Sequence, residues 1–472
     1  GSRRIPDQIN STSGIPSAIV APSRYVSHTR VRVVKSDTVQ AHQRAIITVI
    51  QQDHRIGKVQ FMVPFNPFDW LRSRGQQARC RHALSSKPSL EEAAREVTVA
   101  LGPAEADLAL VFVSSHFASD LTRLLPLLQK RLHARHWLGC LGGGVVGTTP
   151  SGEAHEVERT AAISVSLLNL PGAELSSFRL DCTQLPDLDG PAQNWQEWVG
   201  VTPAESRSIL LMLDPGCNAV NDLVSGLDYG YPGIAKVGGI AVPHNADHGS
   251  LLHEDQVVGG AIGLSIGGTW SLDPVVAQGC RPIGPVFAIE QAQRNVLLEL
   301  SDGDRRASPV ACLQRVLADL SAEDRELVQH SLFLGVEREE LIADAMLAGL
   351  NQGDGSGNQP ERAFLVRNLI GVDPRNGAVA VADRVRAGQN VQFQLREAQA
   401  SRLEARQLLQ TRCDHYGDET PLIGLLFACL GRGSGLFGGP DGDVSIARDV
   451  FRQLPVAGSF CNGEIGPLGG AT

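Results

Sequence analysis

Apolar and polar positions follow two different periods along this chain, and the same succession of periods occurs three times. Near the end of the chain, an apolar run at 422–428 is followed by an amphipathic stretch at 445–454 and a second apolar run at 456–460. Short apolar runs predict buried strands, and apolar residues at helical spacing predict a helix between them. Comparable units lie at 109–147 and 209–242. The pattern therefore predicts an α/β fold with repeated strand–helix–strand units.

The remaining pattern adds helices and strands around these units. Ser89 and Glu92 have the spacing of a capping box and predict a helix at 86–101. The turn at 374–377 predicts a hairpin between its flanking strands. Further helices are predicted at 308–330 and 398–411, further strands at 161–170, 174–180, 257–265, 331–336 and 390–396, and a flexible loop at 351–360. We expect two lobes, in which mixed sheets are flanked by helices.

Length and charge divide the chain into three parts. Its 472 residues exceed one ordinary domain. Residues 1–90 hold 14 Lys and Arg against 4 Asp and Glu, whereas the rest is acidic. We predict a basic N-terminal extension at 1–85, disordered or partly non-native, a first α/β domain at 86–285 and a second domain at 286–472. The extension has three interpretations: an organelle transit segment, a disordered arm, or sequence upstream of a natural start at Met62.

Composition argues against several classes of protein. No window of about 18 residues is continuously apolar, so we expect no membrane span. The acidic body argues against nucleic acid as a partner. The 9 cysteines include no CxxC pair, which predicts free thiols in a reducing compartment. We therefore expect a cytoplasmic protein, or one of an organelle stroma if residues 1–85 are a transit segment.

The most distinctive polar chemistry follows the last two predicted strands. Arg432, Asn462 and Glu464 lie at strand ends, where open α/β sheets bind ligands. A guanidinium matches a ligand carboxylate, a carboxylate matches an ammonium, and an amide both donates and accepts hydrogen bonds. These three side chains therefore predict a site for a zwitterion. Alternatively, Arg432 pairs with Glu464, or Glu464 caps a local turn. The neighbouring candidate ligand-binding residues are Cys429, Gly431 and Gly463.

A second polar pair, Arg367 and Asn368, interrupts an apolar strand. An unpaired buried charge is costly, so Arg367 should face a ligand pocket, an interface or a carboxylate partner. An ion pair and a ligand contact both satisfy this requirement. We therefore include Arg367 and Asn368 among the candidate ligand-binding residues.

Two patterns that resemble binding motifs have simpler explanations. The glycines at 142–147 match a dinucleotide fingerprint, but the sequence after them predicts a turn into a strand instead of the required helix. His244, His248 and His253 could bind a metal, although a polar loop between strands also gathers such residues. We predict a tight turn at the glycines, no metal site and no cofactor.

Two cysteines are weak candidates for a nucleophile. Cys429 and Cys461 end strands beside glycines, and His415 could act as the base for a thiolate. A buried, inert cysteine in a strand is more common. We predict no catalytic residue.

The order of several motifs resembles the FIST proteins, which combine an N-terminal and a C-terminal FIST domain. The resemblance covers about residues 86–467. The motifs are GCLGGGVVG (139–147), KVGGIA (236–241), FLVRNLIGVDPRNGAVAVAD (364–383), VQFQLREA (391–398), FACLGRG (427–433) and AGSFCNGEIGP (457–467).

The resemblance implies a sensory module of signal transduction that binds a small ligand. Amino-acid-like molecules or other small polar metabolites are the implied ligands, and a rearrangement of the two lobes would pass the signal to an unknown downstream protein. We expect a stand-alone sensor that is not an enzyme. A protein-interaction scaffold and a cysteine-dependent enzyme remain the alternatives.

Overall fold

The computed structural model describes residues 44–53, 77–303, 305–337, 364–417, 420–468 and 472. Its strands are β1 (Ala45–Gln52), β2 (Arg79–Ser85), β3 (Ala104–Ser114), β4 (Leu132–Gly142), β5 (Gly144–Thr148), β6 (Ala154–Glu158), β7 (Ile163–Asn169), β8 (Ala173–Leu180), β9 (Ser208–Leu213), β10 (Ala235–Ile240), β11 (Leu251–His253), β12 (Gln256–Val258), β13 (Ala261–Gly268), β14 (Trp270–Ala277), β15 (Cys280–Gln293), β16 (Val296–Asp302), β17 (Arg305–Ala307), β18 (Leu332–Glu337), β19 (Phe364–Asp373), β20 (Ala378–Val381), β21 (Asn390–Arg396), β22 (Ile423–Cys429), β23 (Val456–Cys461) and β24 (Gly463–Ile465).

Its helices are α1 (Leu90–Leu101), α2 (Leu121–Gln129), α3 (Ala192–Val199), α4 (Val220–Gly230), α5 (Pro309–Asp319), α6 (Ala322–Ser331), α7 (Ala398–Tyr416), α8 (Ser434–Phe437) and α9 (Gly442–Val450). None of these helices is long and apolar enough to cross a membrane. The α/β class predicted from the sequence is confirmed, and the loop predicted at 351–360 lies outside the described residues.

The strands form four sheets, numbered I to IV here. Sheet I has the order β14–β1–β22–β23–β5–β6, and sheet II has the order β24–β10–β9–β13–β8. Sheet III has the order β12–β11–β4–β3–β7–β2. Sheet IV has the order β15–β21–β18–β19–β20–β16–β17, and β15 also pairs with β16, so that this antiparallel sheet closes on itself.

All three predicted strand–helix–strand units form. The units β3–α2–β4, β9–α4–β10 and β22–α9–β23 each pair their two strands in parallel, in sheets III, II and I. Gly139, Gly238 and Gly458 occupy comparable positions in the three return strands. A Cβ atom there would lie 2.0, 1.7 and 1.9 Å from the carbonyl oxygen of the paired residue. Glycine is therefore needed at these positions because a side chain would push the paired backbones apart.

One hydrophobic core fills the space between sheets I, II and III. It contains Phe112 of β3, Met212 of β9 and Phe427 of β22, and the rings of Phe112 and Phe427 meet edge to face at 6.0 Å. Helices cover the outer faces: α1 and α2 on sheet III, α3 and α4 on sheet II, and α7 and α9 on sheet I. The three units are therefore arranged around a common centre.

Part of the predicted N-terminal extension belongs to the folded body. Strand β1 lies between β14 and β22 in sheet I, and its residues 45–50 are buried. Strand β2 pairs with β7 at the edge of sheet III. The prediction of an extension over 1–85 is therefore wrong for these two strands, which bury apolar residues against neighbours distant in sequence. Residues 1–43 and 54–76, which include Met62, lie outside the described part of the chain.

The predicted boundary at 285/286 falls within β15. Sheet I combines β1, β5, β6 and β14 with β22 and β23, and sheet II receives β24 from the end of the chain. Strands from both predicted domains therefore share two sheets, and the division at 285/286 stays a prediction.

A disulfide joins Cys182, after β8, to Cys217, in the turn after β9. This finding corrects the prediction that all cysteines are free thiols. The other 7 cysteines, all within the described residues, are free. The sequence did not predict this bond, because its two cysteines are 35 residues apart and do not form a CxxC motif. They are brought together by the order of strands in sheet II.

Candidate functional site

The carboxyl ends of the three parallel units meet at one place. The backbone N–H of Gly143, just after β4, donates to the carbonyl of Phe460 in β23 at 2.9 Å. The N–H of Asn462 donates to Ile240, the last residue of β10, also at 2.9 Å. The N–H of Val242, after β10, donates to the carbonyl of Leu141 in β4 at 3.2 Å. Carboxyl ends of parallel strands are where open α/β sheets bind ligands, so this junction is the candidate site.

A cavity of about 190 Å³, called here the strand-end cavity, opens at this junction. The side chain of Leu430 lies over Gly143, where a Cβ atom would approach it to 2.2 Å. Leu430 is 47% exposed, so its side chain is accessible to a molecule in the cavity. The cavity is lined by Gly143, Glu158, Arg159, Leu430, Gly431, Arg432, Gly435 and Phe460.

Arg432 is anchored by Asp443 and not by Glu464. Its Nε and Nη2 donate to the two carboxylate oxygens of Asp443 at 2.8 and 2.6 Å, and both side chains are fully buried. Burial lowers the pKa of Arg432, but the charge and hydrogen bonds of Asp443 outweigh it, so the pKa lies above its ordinary value. The planar fork that would hold a ligand carboxylate is therefore occupied by a protein carboxylate.

Asp443 belongs to a group of acidic side chains at the start of α9. Glu156 accepts from the N–H of Val444 at 2.8 Å, and its own N–H donates to Asp441 at 2.6 Å. Burial, followed by the nearby charge of Asp443, raises the pKa of Glu156 to about 8. Carboxyl groups at a helix N-terminus accept from its unpaired N–H groups. These contacts hold the loop that carries Arg432 against β6.

Arg432 also belongs to a second set of charged side chains. We call this set the interior ionic cluster, and it consists of Arg44, Arg396, Glu404, Arg432 and Glu464. Glu464 accepts from the N–H of Arg44 at 3.2 Å. Burial raises the pKa of Glu464 to about 8, because the attraction of Arg44 and Arg396 offsets only part of the desolvation. Burial likewise raises the pKa of Glu404 on α7.

The structure distributes the predicted site residues at the end of the chain over three places, the cavity, the interior ionic cluster and the junction of the strands, and Arg432 belongs to the first two. Gly431 and Arg432 line the strand-end cavity, and Cys429 lies directly below them, with its Sγ accepting from the N–H of Gly431 at 3.4 Å. The side chain of Glu464 lies in the interior ionic cluster, beside Arg44 and Arg396. Half-buried Asn462 uses its backbone N–H within the junction, and Gly463 pairs with Ile240 of β10.

Arg367 and Asn368 lie on β19 of sheet IV. Nε of Arg367 donates to Asp383 at 2.8 Å, which is the ion pair that the sequence left open as one alternative. Arg44 donates to the carbonyl of Val366 beside it, at 3.5 Å, and its pKa is lowered to about 9 by burial and by the charge of Arg367. Arg367 thus contributes to the field of the interior ionic cluster, and Asn368 pairs with Phe333 of β18.

The two candidate nucleophiles are poor ones. Cys429 and Cys461 lie opposite each other on the neighbouring strands β22 and β23, and both are buried free thiols. Burial raises the pKa of Cys429 to about 12 and that of Cys461 well above its ordinary value. A thiol with a raised pKa forms little thiolate and reacts slowly. His415 packs its ring against Tyr416 at the end of α7, with the ring centroids 6.2 Å apart.

The glycine motif and the three histidines lie in different local environments. The glycines at 142–147 run into β5 and not into a helix, so the fingerprint lacks its helix N-terminus. The rings of His244 and His248 contact each other at a tilt of 41°, with their centroids 5.1 Å apart. Within the described residues, no cluster of three or more His, Cys, Asp or Glu is placed to hold a metal ion.

Besides Gly435, four residues that line the cavity escaped the sequence analysis: Glu158, Arg159, Leu430 and Phe460. Glu158 ends β6 and accepts from the N–H of Ser434 at 2.7 Å. Arg159 follows it in a left-handed conformation with φ of 58°. The sequence shows the opposite charges of Glu158 and Arg159 next to each other. It does not show that the pairing of β6 with β5 brings them to the loop at 430–435.

Comparison with known proteins agrees with this architecture. The FIST N domain model matches residues 107–303, and the FIST C domain model matches residues 309–467. An uncharacterized protein of Mycobacterium tuberculosis is 31% identical over 393 residues, which cover 82% of this chain and 94% of the relative. An uncharacterized protein of Mycobacterium bovis is 28% identical over 382 residues, which cover 80% of this chain and 90% of the relative.

FIST domains are generally sensory domains that bind small ligands in signal transduction, and are not catalytic. The two domain models match in the expected order, and the relative from Mycobacterium tuberculosis is aligned over nearly its whole length. The chain therefore belongs to the FIST family, with a FIST N domain followed by a FIST C domain.

Proposed function

We propose that this protein is a sensor that binds a small polar metabolite, of amino-acid type, in the strand-end cavity. The observation that carries the proposal is the convergence of three parallel carboxyl ends on that cavity. Its volume of about 190 Å³ is below the roughly 300–1,000 Å³ of pockets for drug-sized ligands. The size therefore favours a ligand with few non-hydrogen atoms.

The lining of the cavity fits a zwitterion with an apolar part. Glu158 offers a carboxylate to an ammonium group, and the exposed Arg159 offers a guanidinium to a carboxylate. Leu430 and Phe460 offer apolar contact between them. In this proposal Glu158 and Arg159 take the roles that the sequence suggested for Glu464 and Arg432.

Arg432 connects the cavity to the rest of the molecule. It lines the cavity, and its pKa responds to the charges of Glu404 on α7 and Glu464 on β24. A ligand that shifts the loop at 430–435 would therefore change the balance of charges beside sheet IV. The signalling mechanism that we propose is a population shift between two arrangements of sheet IV relative to sheets I to III, and its output partner is a downstream protein.

Thermal unfolding against a panel of amino acids tests the proposal. A true ligand at a hundredfold excess over its Kd stabilises the folded state by about 2.7 kcal/mol. Glu158→Gln and Arg159→Met should each remove this stabilisation, because each deletes one charge that faces the zwitterion. Glu105→Gln and Arg131→Met change exposed residues outside the cavity lining and should leave it intact.

Native mass spectrometry of the freshly purified protein, together with labelling of its cysteines, separates the three candidate functions. The sensor retains a small molecule that Glu158→Gln and Arg159→Met both lose. A scaffold retains a protein and no small molecule. A cysteine-dependent enzyme would show one cysteine labelled far faster than the others by an electrophile at neutral pH. Either of the last two results, without stabilisation by any amino acid, would refute the proposal.

A further inference from the structure

The interior ionic cluster has more hydrogen-bonding capacity than its neighbours use. Among the residues that the structure describes, Nε of Arg44, Nη1 of Arg432 and Oε1 of Glu464 are buried without a hydrogen-bond partner. Arg44 is 8% exposed and Arg432 is 1% exposed. Leaving one buried polar group unsatisfied costs about 1–3 kcal/mol, and more for a charged group. Three such atoms in one cluster indicate that an additional hydrogen-bonding partner belongs there.

Several guanidinium groups lie close together in and around the cluster. Four guanidinium groups interact here, those of Arg44, Arg367, Arg396 and Arg432. The carboxylates of Asp383 and Asp443 are ion-paired with two of them. The other two carboxyl groups, of Glu404 and Glu464, are held towards the neutral form by burial, which raises the pKa of both. Burial, followed by the charge of Arg367, lowers the pKa of Arg44, so a negative charge beside its guanidinium would stabilise the cluster.

We propose that the interior ionic cluster is a binding site for a small monovalent anion such as nitrate or chloride. The anion accepts hydrogen bonds from Nε of Arg44 and Nη1 of Arg432. The neutral carboxyl of Glu464 adds a third donor, because its Oε2 already accepts from the N–H of Arg44 and its proton is therefore on Oε1. All three donors are enclosed, so a weakly hydrated monovalent ion is favoured over sulfate or phosphate, whose dehydration costs more.

The site would join parts of the molecule that are distant in sequence. Arg44 precedes β1 of sheet I and also donates to the carbonyl of Val366 in sheet IV. Arg432 follows β22, and Glu464 lies on β24 of sheet II. An anion between them fixes the end of sheet I against sheets II and IV. The inference does not depend on a ligand in the strand-end cavity.

The first test is thermal unfolding of the full chain in sodium nitrate, sodium chloride, sodium sulfate and sodium gluconate at equal ionic strength. We expect a saturable rise in Tm with nitrate and chloride and none with gluconate. Arg44→Met should raise the half-saturating nitrate concentration by about tenfold or more, because it removes a charged donor worth at least about 1.4 kcal/mol. Arg131→Met is the matched control, since Arg131 is exposed.

Glu464→Gln provides a second variant with a different expected result. Its amide keeps a donor at this position but cannot ionise. Nitrate binding by the unaltered protein should weaken from about pH 7 to about pH 8.5, as Glu464 ionises through its pKa of about 8 and repels the anion. The variant should bind nitrate with little change over this interval. The charged or titratable groups that act on Glu464 or on its neighbours include Arg44, Cys140, Cys280, Arg367, Asp383, Arg396, Glu404, Cys429, Arg432, Asp443 and Cys461.

Three results would overturn the proposal. The first is an equal Tm of the unaltered protein in nitrate, chloride and gluconate. The second is an unchanged nitrate response of Arg44→Met. The third result, which decides the matter if Arg44→Met does not fold, concerns Glu464→Gln. The proposal is overturned if nitrate binding by this variant has the same pH dependence as nitrate binding by the unaltered protein. Arg159→Met, which removes an exposed guanidinium from the lining of the strand-end cavity, should leave the nitrate response intact, so the two proposed sites can fail separately.

Discussion

At the scale of single residues, the buried pair of Arg432 and Asp443 determines the geometry of the strand-end cavity. Both side chains are 0% exposed, and two hydrogen bonds join them. A buried ion pair contributes little net stability when compared with apolar residues, but an ion left alone in the interior is expensive. The pair therefore fixes the position of the loop at 430–435 and makes that position sensitive to any change in either charge.

We predict that Asp443→Asn lowers the free energy of unfolding by about 3–5 kcal/mol, because it leaves the guanidinium of Arg432 without its counter-charge. Urea denaturation measures this loss. The matched control is Asp449→Asn, which breaks the pair of Asp449 with Arg406, where both side chains are 54% exposed. That change should cost less than about 1 kcal/mol. Equal losses in the two variants would contradict the structural role of the buried pair.

The carboxyl group of Glu156 predicts a pH dependence of stability. Its pKa is about 8 in the folded protein and 4.5 as its ordinary value, so the folded state holds the proton more tightly than the unfolded chain. The stabilisation is complete below about pH 4.5 and is lost as the pH rises through about 8, with a slope of up to about 1.4 kcal/mol per pH unit.

Glu156→Gln should reduce this slope, because the amide stays neutral at every pH in the interval. Unfolding free energies measured from about pH 5 to about pH 9 give the two slopes. Glu153→Gln, at an exposed position in the turn before β6, is the control and should keep the slope of the unaltered protein. Parallel curves for Glu156→Gln and the unaltered protein would show that Glu156 is not the titrating group.

At the scale of elements, the close approach of paired strands depends on glycine. Gly458 of β23 faces the carbonyl oxygen of Leu426 on β22, and a Cβ atom would approach it to 1.9 Å. That atom belongs to the backbone of a strand inside sheet I, so it cannot move without disturbing β1 on its other side. The return strand therefore tolerates no side chain at this position.

We predict that Gly458→Ala destabilises the protein by about 3 kcal/mol or more, because the two strands must separate to admit the methyl group. Chemical denaturation measures the loss, and failure to obtain folded protein is the extreme form of the same result. Gly439→Ala is the control, because a Cβ atom at Gly439 meets nothing within 4 Å. A loss for Gly458→Ala within about 0.5 kcal/mol of the control would contradict the prediction.

At the scale of the whole molecule, the two matched domains complete each other's sheets. The FIST N match ends at 303, yet sheet I requires β22 and β23, and sheet II requires β24. The common core also contains Phe427 from β22 together with Phe112 from β3. The part of the chain before 303 would therefore expose a large apolar surface if it stood alone.

A fragment of residues 1–303 should accordingly lack a stable tertiary structure. Near-ultraviolet circular dichroism and amide exchange would detect its absence. Co-expression with residues 304–472 is the complementary measurement, and it should restore a complex with the spectrum of the intact chain. A cooperative unfolding transition of the fragment alone would show instead that the first domain folds independently.

The sequence by itself determined the three strand–helix–strand units, the α/β class and the importance of the last strand ends. These features are local: apolar runs, helical spacing and turn glycines act on neighbouring residues. The same reasoning placed Arg432 at a strand end, where it does line a cavity.

Only the tertiary structure decided which side chains meet. Asp443 as the partner of Arg432, Glu158 and Arg159 in the cavity, and Arg44 beside Glu464 all depend on the order of strands in the sheets. Arg44 and Glu464 are 420 residues apart, and no periodicity relates them. Strand order follows from packing three sheets around one core, which depends on the whole chain and not on any local segment.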